Sequence, residues 1–306
     1  MKTTAFDEDF GLTIEANGDT IKNITRDDVV SNLQKHGMVH FSGYGASGED
    51  FHEFTNDYSD DFMSYKGGRY ERRAINTSGD STIVSVNYYL KDAKKQDTWS
   101  IPMHGEMYYQ GKRPVMIWFY CETPARVGGA TTVCDGQRML NSLQKDTLGL
   151  FESKKLKYVR YYPEEEWKIR FQTDDIKEVE RFSVESGMSV ELDEAEKTVT
   201  TEYLHPAIIS SKWGNHTVFV NNILTVATQE IVTGKTDNLI RLEDDSKIPM
   251  DILMEIKGTA ESLTRNIPWQ AGDFAVLDNT RVMHGREEFE GNERQIYSRM
   301  VHSIDW

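Results

Sequence analysis

The sequence predicts a mainly β protein with helices, an α+β chain built as an antiparallel barrel or double sheet with a helical insert. Three observations carry this. Strand-like runs gather in two blocks, about residues 81–135 and 199–306. The stretch between them, about 137–198, has helical character. Strands and helices do not alternate regularly along the chain, which disfavours a parallel βαβ architecture. The 306 residues are assigned to one domain, a length that one large core accommodates.

Element by element, Asn23 to His36 has the pattern of a helix, with Thr25 as N-cap, acids in the first turn and Gly37 as the stop. Met38–Ser42 follows as a strand. Glu49 to Met63 carries Phe51, Phe54, Tyr58 and Phe62 at helical spacing, the pattern of a core-facing helix. Ser81 to Leu90 is a predicted strand, and Lys91 to Thr98 a charged loop. Val115 to Cys121 is apolar at nearly every position, as expected of a strand buried on both faces. Gly128 to Cys134 resumes a strand, and a helix is expected from Gly136 to Leu143. Farther on, Thr173 is a candidate cap for a helix through Phe182. Val199–Leu204 and His216–Asn221 are strand-like, and His205-Pro206 is a turn rather than a ligand position. Ile252, Leu253, Ile256, Ala260 and Leu263 give Pro249–Leu263 a helical apolar stripe. The end returns to strands at Phe274–Leu277, Val282–His284 and Arg294–His302.

The 35 basic and 50 acidic residues leave a net charge of −15, which argues against nucleic-acid phosphates or an anionic membrane as partners. A small-molecule substrate remains the natural partner. No apolar run approaches the length of a membrane span, and the acidic N-terminus lacks the pattern of a secretory signal, so a cytoplasmic location is the default expectation. Cys121 and Cys134 lack metal-site spacing and are expected as free thiols in or near the core.

The chemistry is signalled by Ile101-Pro-Met-His-Gly-Glu-Met-Tyr-Tyr109. If this stretch is extended, His104 and Glu106 point the same way, because positions two apart share a face. His284 supplies a second imidazole from far downstream. Two histidines and one carboxylate form the facial set that suits a non-haem Fe(II) oxygenase. Asn87, Tyr88 and Tyr108 stand close to this stretch in sequence and are candidate substrate contacts.

These residues, together with Pro124-Ala-Arg-Val-Gly-Gly-Ala-Thr131, the segment from Trp167 to Thr173-Asp-Asp, and Gly272-Asp-Phe through His284-Gly-Arg286, resemble the taurine dioxygenase and 2,4-D dioxygenase-like branch of Fe(II)/2-oxoglutarate oxygenases. The resemblance spans nearly the whole chain. It implies a double-stranded β-helix, or jelly-roll, core; Fe(II) held by His104, Glu106 and His284; and 2-oxoglutarate and O2 as co-substrates. It places Thr131 on 2-oxoglutarate. The glutamate ligand resembles the clavaminate synthase and arginine-hydroxylase subgroup. The family's ending usually carries two arginines four residues apart, the first binding the co-substrate's distal carboxylate. Here Gln295 occupies the first position, so Arg299 is the expected clamp and Arg294 the fallback. The implied activity is hydroxylation of a small metabolite, with oxidative cyclisation or desaturation as the alternative. A catalytically silent binder on the same fold and a hydrolytic zinc enzyme are the competing classes.

Overall fold

A computed structural model describes residues 1–63, 82–87 and 98–304. Its principal sheet has seven strands in the order Lys2–Ala5, Leu12–Glu15, Met38–Ser42, Phe274–Asp278, Met116–Thr123, Gln295–Val301 and Ile83–Ser85. A second sheet runs Arg265–Asn266, Thr131–Asp135, Val282–Arg286, Ile101–His104. Among the described residues, Leu12–Glu15 pairs in parallel with Met38–Ser42, and the other strand ladders are antiparallel. The two sheets share one apolar cluster, to which Ile117, Phe119, Leu277 and Met300 contribute from the first and Met103, Val133 and Val282 from the second. This is the double-sheet arrangement of the jelly roll, as the sequence implies.

The other face of the seven-stranded sheet is buried as well. Val39, Phe41, Trp118, Tyr120 and Val276 pack there with Val29 and Leu33 from the Arg26–His36 helix and with Phe51 and Phe54 from the Gly48–Asn56 helix. A strand covered on both sides needs apolar residues at consecutive positions, which explains the unbroken run through Cys121. The first helix matches its sequence signals: Thr25 caps it through the Asp28 N–H, and Gly37 closes it at φ 76°. The second ends at Asn56, short of the expected Met63.

The region expected as a helical insert holds strands as well as helices. It contains the strands Leu156–Tyr162 and Ser189–Asp193, which join Thr198–His205 and Asn238–Leu242 in a four-stranded antiparallel sheet. Its helices are Gly136–Ser142, Lys145–Ser153, Glu164–Phe171 and Ile176–Glu185, the last two separated where Gln172 turns left-handed at φ 54°. Asp175, rather than Thr173, caps the second of these through the Lys177 N–H. Cys121 and Cys134 are free and buried. No helix among the described residues is long and apolar enough to cross a membrane.

Candidate active site

His104 is the last residue of its strand and stands directly opposite His284 in the antiparallel ladder. The two ring centroids are 4.4 Å apart. His104 Nδ1 lies 2.9 Å from the Pro102 carbonyl. A carbonyl can only accept, so Nδ1 carries the proton and Nε2 is the nitrogen available as a ligand.

Glu106 arrives by a different route from the one the sequence suggests. The strand stops at His104, and Glu106 lies in a turn whose next residue, Met107, adopts φ 60°. Gly105 makes that turn possible: a Cβ there would fall 2.4 Å from the Tyr108 ring and 2.8 Å from Val220 Cγ1. Asn279 pins the turn. Its Oδ1 accepts from the Glu106 N–H at 2.8 Å, while its Nδ2 donates to the carbonyls of Glu106 and Pro114 at 3.1 and 2.7 Å. The result places Glu106 Oε2 3.4 Å from His284 Nε2. One ligand atom from each of His104, Glu106 and His284 lies within 4.8 Å of the other two. Two imidazole nitrogens from facing strands and a carboxylate oxygen from the adjoining turn suit a divalent transition metal and leave coordination positions for small molecules.

Beside this triad lies a small recess that Thr131, Arg286 and Arg294 also line. Arg294 is 1% exposed, and its Nε donates to the Gly129 carbonyl at 2.7 Å. Its Nη1 donates to Asn87 Oδ1 at 2.8 Å, and Asn87 Nδ2 returns a bond to the Arg294 carbonyl at 2.6 Å. Burial first, and the Arg286 guanidinium second, push Arg294 down to about 9. Two guanidinium groups brought together out of water favour an anion between them. The Thr131 hydroxyl oxygen accepts from Trp269 Nε1 at 2.9 Å and, more weakly, from Arg294 Nη2 at 3.4 Å. With its oxygen engaged by two donors, the hydroxyl retains its proton to donate to a ligand.

Several expected site residues are elsewhere. Arg299 is buried on the opposite face of the Gln295–Val301 strand, the face that carries Tyr297 and Val301. Its Nη1 donates to Thr55 Oγ1 and Asn56 Oδ1 at 2.7 and 2.8 Å, and its Cζ lies 3.4 Å from the Phe62 ring centroid. The expectation that Arg299 is the clamp therefore fails on geometry, and the fallback Arg294 occupies the recess. Asn87 holds Arg294 and does not line the larger cavity described below. Tyr108 is wholly buried, donating to the Asn279 carbonyl at 3.0 Å, so its place is in the turn. Tyr88 lies outside the described residues. His205 stacks on Tyr203, and burial pushes its pKa down to about 3.

A larger cavity of about 460 Å³ also has His104 and Glu106 in its wall. Its walls include Trp99, Met107, Tyr109 and Arg160, together with Asn222 and Gln229 at and within the helix that covers it.

The family model described as "Taurine catabolism dioxygenase TauD, TfdA family" matches residues 2–301. The chain belongs to the TauD/TfdA family. It is similar to a clavaminate synthase-like protein of Arabidopsis thaliana, with 27% identity over 280 residues, covering 87% of this chain and 82% of that one. It is also similar to the dapdiamide synthesis protein DdaC of Enterobacter agglomerans, with 26% identity over 219 residues, covering 67% and 66%. Among solved structures, PvcB of Pseudomonas aeruginosa, described as an Fe, alpha-ketoglutarate dependent oxygenase from an isonitrile synthetic pathway, superposes with a TM-score of 0.55 at 12% identity, covering 96% and 86%. The TauD/TfdA chain is thus a dioxygenase whose cofactors are Fe(II) and 2-oxoglutarate, and its His-Glu-His cluster fits that metal.

Sequence reasoning missed Asn279, Trp269, Arg286 and Arg160. Arg286 had a usable signal, since it lies two residues after His284 on one strand and shares its face. Trp269 had none, because it comes from a turn whose conformation no periodicity encodes.

Proposed function

We propose that this TauD/TfdA dioxygenase oxidises an unactivated C–H bond of a small-molecule metabolite, amino acid-like or a natural-product intermediate, by hydroxylation, with succinate and CO2 as co-products. The observation that carries the reading is the adjacency of two spaces that share Ile101, His104 and Glu106 in their walls, a cationic recess and a roomier cavity. His104, Glu106 and His284 hold Fe(II). Bound there, Fe(II) with 2-oxoglutarate activates O2 and supplies the oxidising power for the C–H bond. Arg294 pairs with the distal carboxylate of 2-oxoglutarate, Thr131 donates its hydroxyl proton to the same group, and Asn87 and Trp269 keep both in place. The larger cavity receives the substrate and shields it from water. The names of DdaC and PvcB, from dapdiamide and isonitrile synthesis, support a natural-product substrate.

The test is succinate formation from 2-oxoglutarate by the Fe(II)-loaded protein under O2, read against a panel of candidate substrates. Turnover is expected with native protein and is expected to fall to background in His104→Ala and Glu106→Ala while their circular dichroism stays native. Native-like turnover in folded Glu106→Ala counts against the assignment.

A further inference from the structure

Trp269 reaches Thr131 from a turn with little core of its own: Pro268 and Gln270 on either side are exposed, and Trp269 itself is half-buried. What fixes it lies behind. His40 is a polar residue on the Met38–Ser42 strand; it shares the face of Met38, which belongs to the cluster between the two sheets, and it is fully buried. Its ring stands perpendicular to the Trp269 indole, with centroids 5.6 Å apart and planes at 86°. Its Nε2 lies 3.4 Å from Oδ2 of Asp273, which is fully buried too. Asp273 ties the pair to the turn. Its Oδ2 accepts from the Gln270 N–H at 3.0 Å, and its Oδ1 from the Gly43 N–H at 2.8 Å, one residue past the strand that carries His40. Gly272, at φ 83°, lets the turn lie against Gly45, where a Cβ would fall 2.5 Å from the Gly45 Cα. A buried polar pair of this kind is weak evidence for stability. What this one does is orient a ring.

We infer that His40 and Asp273 are positioning residues for the co-substrate site: they hold the Trp269 ring where its N–H engages the Thr131 hydroxyl oxygen, and so fix the Thr131 proton toward the recess. The inference rests on the oxygenase reading above, in which Thr131 donates to 2-oxoglutarate. Neither His40 nor Asp273 lines the recess, so both act through Trp269. Trp269 Nε1 donates to Thr131 Oγ1 at 2.9 Å, whereas the other donor there, Arg294 Nη2, stands at 3.4 Å. The indole is thus the stronger of the two constraints on the hydroxyl rotor. The Ile267 N–H donates to the Thr131 carbonyl at 2.9 Å, so the backbone of the turn stays tied to Thr131 when the indole tilts. A hydroxyl that loses its main donor is free to turn its proton away from the recess. Binding of 2-oxoglutarate then weakens with the metal ligands and Arg294 untouched.

The experiment is anaerobic calorimetric titration of Fe(II)-loaded protein with 2-oxoglutarate, on single and double variants. His40→Leu is expected to weaken 2-oxoglutarate about 3- to 10-fold, the worth of one hydrogen bond, and Trp269→Phe and Thr131→Val to do so by similar factors. Adding His40→Leu to Trp269→Phe or to Thr131→Val is expected to cost nothing further, because the route is already cut. His40→Gln, which keeps a donor for Asp273 and loses the ring, and His40→Phe, which keeps the ring and loses the donor, are expected to fall between native and His40→Leu. In turnover the loss is expected in the KM for 2-oxoglutarate, with kcat at saturation near native. A second readout needs no metal: the Trp269 indole N–H resonance, identified by its disappearance in Trp269→Phe, is expected to exchange faster with solvent in His40→Leu. Native 2-oxoglutarate affinity in the folded His40 variants overturns the inference, as does a loss fully additive with Thr131→Val. If His40→Leu does not fold, His40→Gln and His40→Phe carry the same cycles. Native protein that fails to bind 2-oxoglutarate, while the indole still responds to His40, removes the oxygenase reading and the co-substrate role with it. That pattern is distinct from binding that is present and indifferent to His40.

Discussion

Arg294 and Arg299 stand an odd number of residues apart, and on extended chain that spacing sends their side chains to opposite faces. One face fronts the apolar cluster between the two sheets, with Ile296 and Met300; the other fronts the helical layer, with Tyr297 and Val301. The difference predicts two separable phenotypes. Arg294→Ala is expected to raise the KM for 2-oxoglutarate by about 10- to 100-fold, the worth of a charge-assisted pair, and to lower stability as well, because Gly129 and Asn87 lose a buried donor. Arg299→Ala is expected to leave that KM near native and to cost about 2–4 kcal/mol of stability, because Thr55 and Asn56 lose a buried donor. Steady-state kinetics and urea denaturation on both variants read the two effects. Family spacing favoured Arg299, and alternation by itself could not decide, since parity says which residues share a face but not which face meets the site.

The elements around the triad show what a sequence exposes and what it hides. The His-x-Glu spacing and the family resemblance together marked His104, Glu106 and His284 as a ligand set. The conformation that unites them was less legible, because it depends on Gly105 relieving a clash and on Asn279 reaching a turn far from it in sequence. Asn279→Ala removes three hydrogen bonds to that turn and its neighbour at Pro114, and is expected to weaken Fe(II) binding by about 10- to 100-fold, the usual effect of losing support behind a metal ligand. Anaerobic metal titration measures it, and Asn279→Asp, which keeps one acceptor, is expected to fall between. The Leu156–Tyr162 strand was legible in principle. Leu156, Tyr158, Arg160 and Tyr162 alternate inward along it, a period of two obscured by the helical residues on either side. That alternation also puts a charged residue, Arg160, at an inward position where apolar ones are expected.

At the scale of the molecule, fold class followed from the strand blocks, whereas pairing across the sheets required contacts that composition does not specify. One long-range arrangement sets a pH dependence. Asp278, at the end of the Phe274–Asp278 strand, is 1% exposed, and burial pushes its pKa from 3.8 up to about 7. The folded state thus holds this proton more tightly than the unfolded chain. Its contribution to stability is complete below pH 3.8 and is lost as pH rises through about 7. Asp278→Asn keeps the acceptor for the Thr280 N–H and removes the titration. The Tm of that variant is expected to decline less than the native Tm across this interval in a calorimetric pH series.

The face-to-face placement of His104 and His284 has a mechanical meaning as well. They belong to strands contributed by distant parts of the chain, so an ion bound to both is a removable cross-link between the middle of the polypeptide and its end. Its binding energy then adds to the cohesion of the second sheet. Chelation is expected to lower the Tm and to speed amide exchange first in Ile101–His104, the edge strand of that sheet. Iron supply would thereby govern how long the folded enzyme persists as well as how fast it turns over.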